Sequence, residues 1–418
     1  MSHSFRAIHG NLLKSLSLTT VLAGGMFLGV PTPSAAQDTY PHANEPIGNV
    51  EQVYDGALTP DLAVNTFRNI DRLFPTRTVK AGGKPSELPK AEKALGKVVA
   101  DIKGEKYDLY DYLALNQVSG LIVLKDGKVV YETYQRGNTP KTRWMSMSVA
   151  KSISSTLVGA AIKDGLIKGV DAQVVDYVPR LKGTAYDGVT IRDVLMMSSG
   201  VKWVETYTDP ASDRRALLRA QIAQKPGGAM EVMAALPRAA EPGTLNTYST
   251  GETQVLAEIL HGALKKPLAE YLSEKIWVPY GMEADANWWL DSPNGVEIAG
   301  SGLSATLRDF ARFGQFFLEG GKANGTQVLP DGWTKEASSP KILKGGKPLE
   351  YGYMWWPSQT GPSKRDNAFS ASGIQGQSVY INPAHNVVIA QTAAAPKPTG
   401  KAPVNPIEFF DAIVASLN

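Results

Sequence analysis

Two rhythms of apolar and polar positions divide the chain. Leu121-Ile-Val-Leu124 and Val129-Val-Tyr-Glu-Thr-Tyr134 flank Lys125-Asp126-Gly127-Lys128. Apolar runs on either side of an Asp-Gly pair predict a β-hairpin with a tight turn. From about Ser148 to Lys163 the rhythm becomes helical: Ile153, Leu157, Ala160 and Ala161 share one face, and Gly165 suits the stop. Residues 171–320 read mostly as helices and loops, with helices predicted over 190–197, 251–264 and 306–318. Strand signals return at 351–356, 377–381 and 387–392, with Asn382-Pro-Ala-His-Asn386 as the turn between the last two. The chain closes in a capped helix, with Asn405 suited to the N-cap, Pro406 to the first helical position and Glu408 to a capping box. Strands early and late pack most simply as one antiparallel sheet, covered by the end helix, with the central helices as a separate lobe. The predicted class is α/β in the α+β sense, with a sheet part at about 106–147 and 350–418 and a helical part at about 170–320.

The N-terminal segments read differently. Residues 15–30 are apolar and uncharged, preceded by Arg6 and Lys14 and followed by small residues, Ser34 and Ala36, before Gln37. This is the pattern of a secretory signal over residues 1–36, and the apolar run is shorter than the ~20 residues of a spanning helix. The mature chain is therefore expected to be soluble, without membrane insertion, and exported, to the periplasm if the source is Gram-negative. Residues 37–105 are polar and read as an N-terminal extension with one amphipathic helix near 62–73, ahead of a main domain at 106–418.

Composition narrows the chemistry. The 418 residues carry a formal net charge of +3, and without the first 36 residues 41 basic residues face 40 acidic ones. That balance gives no electrostatic reason to expect nucleic acid as a partner. There is no cysteine, which excludes a disulfide framework, a cysteine nucleophile and a thiolate metal site. Of five histidines only His261 and His385 lie in the body of the chain, so an HExxH helix or a three-histidine metal site is unavailable. His261 reads as a packed or rim histidine and His385 as a solvated turn residue.

Three segments can carry chemistry. Ser148-Val-Ala-Lys151 opens the long helix, where a spacing of three places both side chains on one face. A serine needs a base to become a nucleophile, and a lysine can be that base once desolvation or a nearby cation lowers its pKa. Ser199-Gly-Val-Lys202 and Ser338-Ser-Pro-Lys341 share the spacing, but only Ser148 starts a buried-looking helix behind a hairpin. Tyr248, in Pro242-Gly-Thr-Leu-Asn-Thr-Tyr-Ser-Thr250, precedes the helix at 251–264 and is placed either to share a proton with Ser148 and Lys151 or simply to pack. In Ala371-Ser-Gly-Ile-Gln-Gly-Gln377 small residues let backbone approach a ligand closely. The Ile374 N–H can pair there with that of Ser148 as an oxyanion hole, with Gly373 and Gln375 as candidate substrate contacts. Trp144 is a candidate flank of the nucleophile. The Asp209-Pro-Ala-Ser-Asp-Arg-Arg215 run reads as a solvated loop and helix start.

These segments, in this order, resemble the serine β-lactamase-like superfamily, in its class C-related branch. Trp144-Met-Ser-Met-Ser-Val-Ala-Lys151 looks like that family's nucleophile motif. Phe74-Pro-Thr-Arg-Thr78, Ser198-Ser-Gly-Val-Lys-Trp-Val-Glu-Thr-Tyr207, Asp209-Pro-Ala-Ser212 and Tyr351-Gly-Tyr-Met-Trp-Trp356 look like the 6-aminohexanoate-dimer hydrolase group and its carboxylesterase-like relatives. The resemblance implies a β-lactamase/DD-peptidase-like fold, acylation of Ser148, proton shuttling by Lys151 and Tyr248, a substrate contact at Tyr207, and no metal or organic cofactor. Two departures bear on the substrate. Thr250 stands where class C enzymes end the tyrosine motif in asparagine, and Ala371 where they begin the third motif with a carboxylate-holding lysine. The expected activity is hydrolysis of a small-molecule ester or linear amide. The alternatives are a class C-type β-lactamase or DD-peptidase, and a non-catalytic binder of cell-wall fragments on the same fold.

Overall fold

Six strands form the main antiparallel sheet, in the order Trp356–Pro357, Phe369–Gly373, Gln377–Asn382, Val387–Ala393, Val118–Lys125 and Lys128–Tyr134. They belong to a computed structural model that describes residues 40–417, so the secretory signal expected at residues 1–36 lies outside the described residues. The early and late strands do join in one sheet: Val387–Ala393 pairs with Val118–Lys125, setting Ile389 opposite Val123. The hairpin turn has both Asp126 and Gly127 at positive φ, 51° and 73°, the conformation that an Asp-Gly pair favours.

Alternation explains why this sheet is covered on both faces. Leu121 and Val123 point into a cluster with Tyr380, Ile389, Phe409, Phe410 and Ile413, under the terminal helix Pro406–Ala415. Ile122 and Leu124 point the other way, into the main core with Phe310, Phe313 and Val388. The helix Leu307–Leu318 lies on that face. Successive side chains leave opposite faces of a strand, so an unbroken apolar run such as Leu121 to Leu124 requires cover on both.

Several expectations need correction. Residues 42–105 are not an appendage. Thr76–Val79 pairs with Ala286–Trp289 in a second, four-stranded sheet that also holds Leu303–Thr306 and Arg143–Met145, and His42 to Asn418 form one compact unit. The stretch read as mostly helix and loop thus contributes two strands, each four residues long, too short for a period-2 pattern to stand out. The amphipathic helix near 62–73 is a helix at Pro60–Phe67 and a separate 3-10 turn at Ile70–Arg72. The apolar run at 351–356 is strand only from Trp356. Before it, the Tyr353 N–H donates to the Ala337 carbonyl and that of Met354 to Leu195, and the rings of Tyr353 and Trp355 fill the core.

The helix Val149–Lys163 is buried almost all round rather than on one face. Its hydroxyls make this possible by bonding to backbone: Ser152 donates to the Met354 carbonyl at 2.6 Å, Ser154 to Ala299 at 3.0 Å and Thr156 to Ser152 at 2.8 Å. Buried hydroxyls paired in this way escape the penalty of burying polar groups alone. This central helix holds the candidate nucleophile against the wall of the main sheet.

Candidate active site

The short strand Arg143–Met145 delivers the chain to the start of that helix. Met147 has φ of +43°, rare for a side-chain-bearing residue, so the backbone turns sharply just before Ser148. Ser148 is the N-cap residue, 8% exposed. One turn on, Lys151 is 1% exposed. Its Nζ donates to the Gly300 carbonyl at 2.8 Å and to Thr250 Oγ1 at 3.2 Å, and lies 5.6 Å from the centre of the Tyr248 ring. Burial pushes the Lys151 amine down to about 7; Glu205 opposes this and the positive charge of Arg214 reinforces it. The desolvation that the Ser-Lys motif needs is therefore present.

Tyr248 stands one residue ahead of Ser249, the N-cap of the helix Thr250–Leu264, which packs along the nucleophile helix. Burial and the Glu205 charge raise the Tyr248 phenol above its ordinary value, while its hydrogen bond with Ser148 and the Arg214 charge work the other way. Its ring meets Trp356 at 5.5 Å and Tyr351 at 6.3 Å between centroids. Trp356 is 39% exposed, so this trio forms an aromatic rim between the site and solvent.

Phe369–Gly373 brings the third segment against the nucleophile. A β-carbon on Gly373 would lie 2.8 Å from the Ser146 carbonyl oxygen and 3.0 Å from the Ser148 nitrogen. Only a residue without a side chain permits this approach, which sets Ile374 beside Ser148 on a shared cavity. Among the described residues the Ser148 N–H donates to no backbone carbonyl. Ala371 is fully buried and paired with Val379, so no cation stands where class C enzymes place the third-motif lysine.

Tyr207 lines the cavity that Ser148 and Ile374 share. The other three substrate-contact candidates, Gly373, Trp144 and Gln375, do not. Trp144 is 1% exposed, donates to Gln377 Oε1 at 3.0 Å and meets Phe67 edge-on at 5.8 Å; it is core beneath the site, since a strand leading into a buried turn sends its indole inward. Gln375, at φ of +61°, turns its buried amide away to the Val53 carbonyl at 3.1 Å. That bond ties the third segment to the N-terminal helix Val50–Asp55. His261 is exposed. His385 sits 3.3 Å from Asp366 in the turn between Asn382 and Val387, at the opposite end of its strands from Gly373.

Sequence reasoning missed four residues here. Thr250 donates to Glu205, which also accepts from the Thr250 N–H at 2.9 Å and from the Trp203 indole. A Lys151–Thr250–Glu205 relay thus stands where the expected asparagine is missing. Tyr54, from the supposed extension, and Arg214, from the supposed solvated run, both line the Ser148 cavity. Glu205 sits inside the run ending at Tyr207, but nothing local marks it as facing Lys151. The other three come from segments far apart in sequence.

The Beta-lactamase family model matches residues 115–408. The 6-aminohexanoate-dimer hydrolase of Paenarthrobacter ureafaciens is 33% identical over 305 residues, covering 70% of this chain and 76% of that protein. Among solved structures, a Bacillus anthracis protein provisionally assigned as a 6-aminohexanoate-dimer hydrolase superposes with a TM-score of 0.72 at 24% identity, covering 84% of this chain and 92% of its own. A family VIII carboxylesterase superposes at 0.56 with 17% identity over 71% of this chain and 92% of its own, a likeness of fold. The chain belongs to the Beta-lactamase family and is a serine hydrolase of that family.

Proposed function

We propose that the protein is a secreted hydrolase that cleaves carboxylic esters or linear amides through an acyl-enzyme on Ser148. The observation that carries this reading is the buried Lys151 amine one turn from Ser148, whose hydrogen-bond partners are a hydroxyl and a carbonyl rather than a carboxylate. A lysine whose amine titrates at about 7 is partly neutral there and can take the serine proton. Tyr248, raised above its ordinary value, stays a neutral phenol and acts as the relay. Ser148 Oγ attacks the carbonyl carbon while its proton passes to Lys151 Nζ. The oxyanion is held by the N–H groups of Ser148 and Ile374. The leaving alcohol or amine then takes a proton from Tyr248, which recovers one from Lys151. Water, activated by the same groups, attacks the acyl carbon and returns Ser148. Ala371 in place of the third-motif lysine favours esters or linear amides over β-lactams. The named substrate of the Paenarthrobacter ureafaciens relative, a 6-aminohexanoate dimer, is a linear amide. The N-terminal 36-residue pattern supports secretion.

Mass spectrometry during turnover of p-nitrophenyl butyrate tests this. The expected result is one butyryl group on the peptide containing Ser148. Sustained turnover with no adduct there after rapid acid quenching would count against the acyl-enzyme. The pH profile gives a further expectation. Lys151 must be neutral to act as base, so kcat/KM should rise with pH through about 7 and level off above it. A profile flat from pH 5 to 9 would remove Lys151 as the base.

A further inference from the structure

One wall of the nucleophile cavity is not used by the proton-transfer groups. Arg214, on the helix Asp213–Ile222, is 2% exposed. Among the described residues its Nε and Nη1 are buried without a hydrogen-bond partner. Its Cζ lies 4.3 Å from the centre of the Tyr54 ring and 5.8 Å from that of Tyr207, two rings that stack 6.0 Å apart within 8° of parallel. Ring faces attract a cation but leave its N–H donors without acceptors. Neighbouring Arg215 shows the contrast: it pairs with Asp55 and donates to the Tyr207 carbonyl at 3.3 Å. Nearby carboxylates are otherwise engaged. Glu205 holds Trp203 and Thr250, Asp213 accepts from the Val204 N–H at 2.9 Å, and Asp209 from that of Ala211 at 2.9 Å.

A guanidinium stays charged in a protein, and a buried charge is ordinarily found paired. Here Arg214 is among the residues that line the cavity shared by Ser148, Ser301 and Ile374. We infer that Arg214 is the receptor for a carboxylate at the far end of the substrate's acyl chain, so that the preferred substrates are half-esters or half-amides of short dicarboxylic acids. This rests on Ser148 being the acylated residue. The acyl side is assigned because Tyr248, which serves the leaving group, adjoins the exposed rim at Trp356, whereas Arg214 lines the enclosed side with Tyr54 and Tyr207. Guanidinium and carboxylate are planar and match in bidentate geometry.

Two ester pairs matched in acyl carbon number test the inference: monoethyl succinate against ethyl butyrate, and monoethyl glutarate against ethyl valerate, assayed by acid release. The wild type is expected to favour the carboxylate ester in at least one pair by tenfold or more in kcat/KM. In Arg214→Met that ratio should fall at least tenfold, and in Arg214→Lys only partly, because an ammonium keeps the charge but loses the fork. The ratio is the readout because the Arg214 charge also acts on Lys151, which affects both esters alike. Replacing an unpaired buried cation by an apolar chain of similar length does not threaten the fold. A wild-type ratio near one in both pairs, or a ratio unchanged in Arg214→Met, overturns the inference while leaving Ser148 in its role. Should neither these esters nor the corresponding anilides be hydrolysed, the acyl-enzyme reading fails and binding decides. Glutarate, unlike valerate, should then raise the Tm of the wild type but not of Arg214→Met, and no glutarate shift would overturn the inference.

Discussion

Ser148→Ala is expected to lower kcat for a p-nitrophenyl ester by about 10⁶-fold, and Lys151→Met by about 10⁴-fold or more, with the double variant no slower than Ser148→Ala alone. The two side chains perform one act: the hydroxyl is a nucleophile only while the amine receives its proton. The Lys151 environment leaves no ready substitute, since among the described residues no histidine lines the cavity. Single-turnover rates of the three variants check this. A Lys151→Met protein within tenfold of wild type would dismiss the lysine, and strictly additive losses would mean that the two residues act separately. The same variant carries a stability signature. A lysine whose folded pKa is about 7 against an ordinary 10.5 weakens the fold wherever the unfolded chain protonates it and the folded chain does not. That penalty is absent above the unfolded value, grows as pH falls from 10.5 towards 7, and is constant below. Its full size is on the order of several kcal/mol. Lys151→Met also strands the Gly300 carbonyl, costing about 1–3 kcal/mol, while Thr250 keeps its bond to Glu205. The checkable quantity is therefore the trend: the variant should gain on the wild type as pH falls from 10 to 7.

Gly373→Ala should lower kcat by about 10²–10³-fold, with only the modest fall in Tm that about 1–3 kcal/mol of local overpacking gives. Gly373 has φ −128° and ψ 153°, extended backbone that alanine adopts freely, so the substitution carries no conformational strain. The harm is steric. The new methyl would sit 2.8 Å from the Ser146 carbonyl and 3.0 Å from both Met147 Cβ and the Ser148 nitrogen, so the end of the strand must back away and carry Ile374 with it. An oxyanion hole tolerates little such movement, because donors must lie close to where the charge develops. Parallel kcat and thermal-melt measurements decide it. A full-rate Gly373→Ala enzyme would show that the third segment does not hold the oxyanion.

The residues that tie the N-terminal segment to the site bear on how the enzyme is built. Tyr54 stacks on Tyr207, Asp55 pairs with Arg215, and Val53 accepts from Gln375. One short helix therefore braces the loop before Arg214 and the segment after Gly373. Its own capping box, in which Asn49 and Gln52 bond reciprocally, fixes where that helix begins.

By itself the sequence determined whatever depends on neighbours a few positions apart. The hairpin follows from its Asp-Gly turn, the terminal helix from Asn405 and Pro406, and the placing of Ser148 and Lys151 one turn apart from a spacing of three on a helix. Antiparallel joining of the early and late strands was legible because both sets are apolar and only a shared sheet buries them. Tertiary structure alone decided what crosses long stretches of chain. Thr76–Val79 became a sheet strand because Ala286–Trp289 lay beside it, and four residues carry too little pattern to announce that. Trp144 was indistinguishable in sequence from a substrate-facing indole until packing against Phe67 placed it in the core. Glu205, Arg214 and Tyr54 acquired their roles only when three distant segments closed round Ser148. Burial, which turns Lys151 towards a base and leaves Arg214 a cation in search of an anion, is a property of the assembled interior and is written in no single stretch of residues.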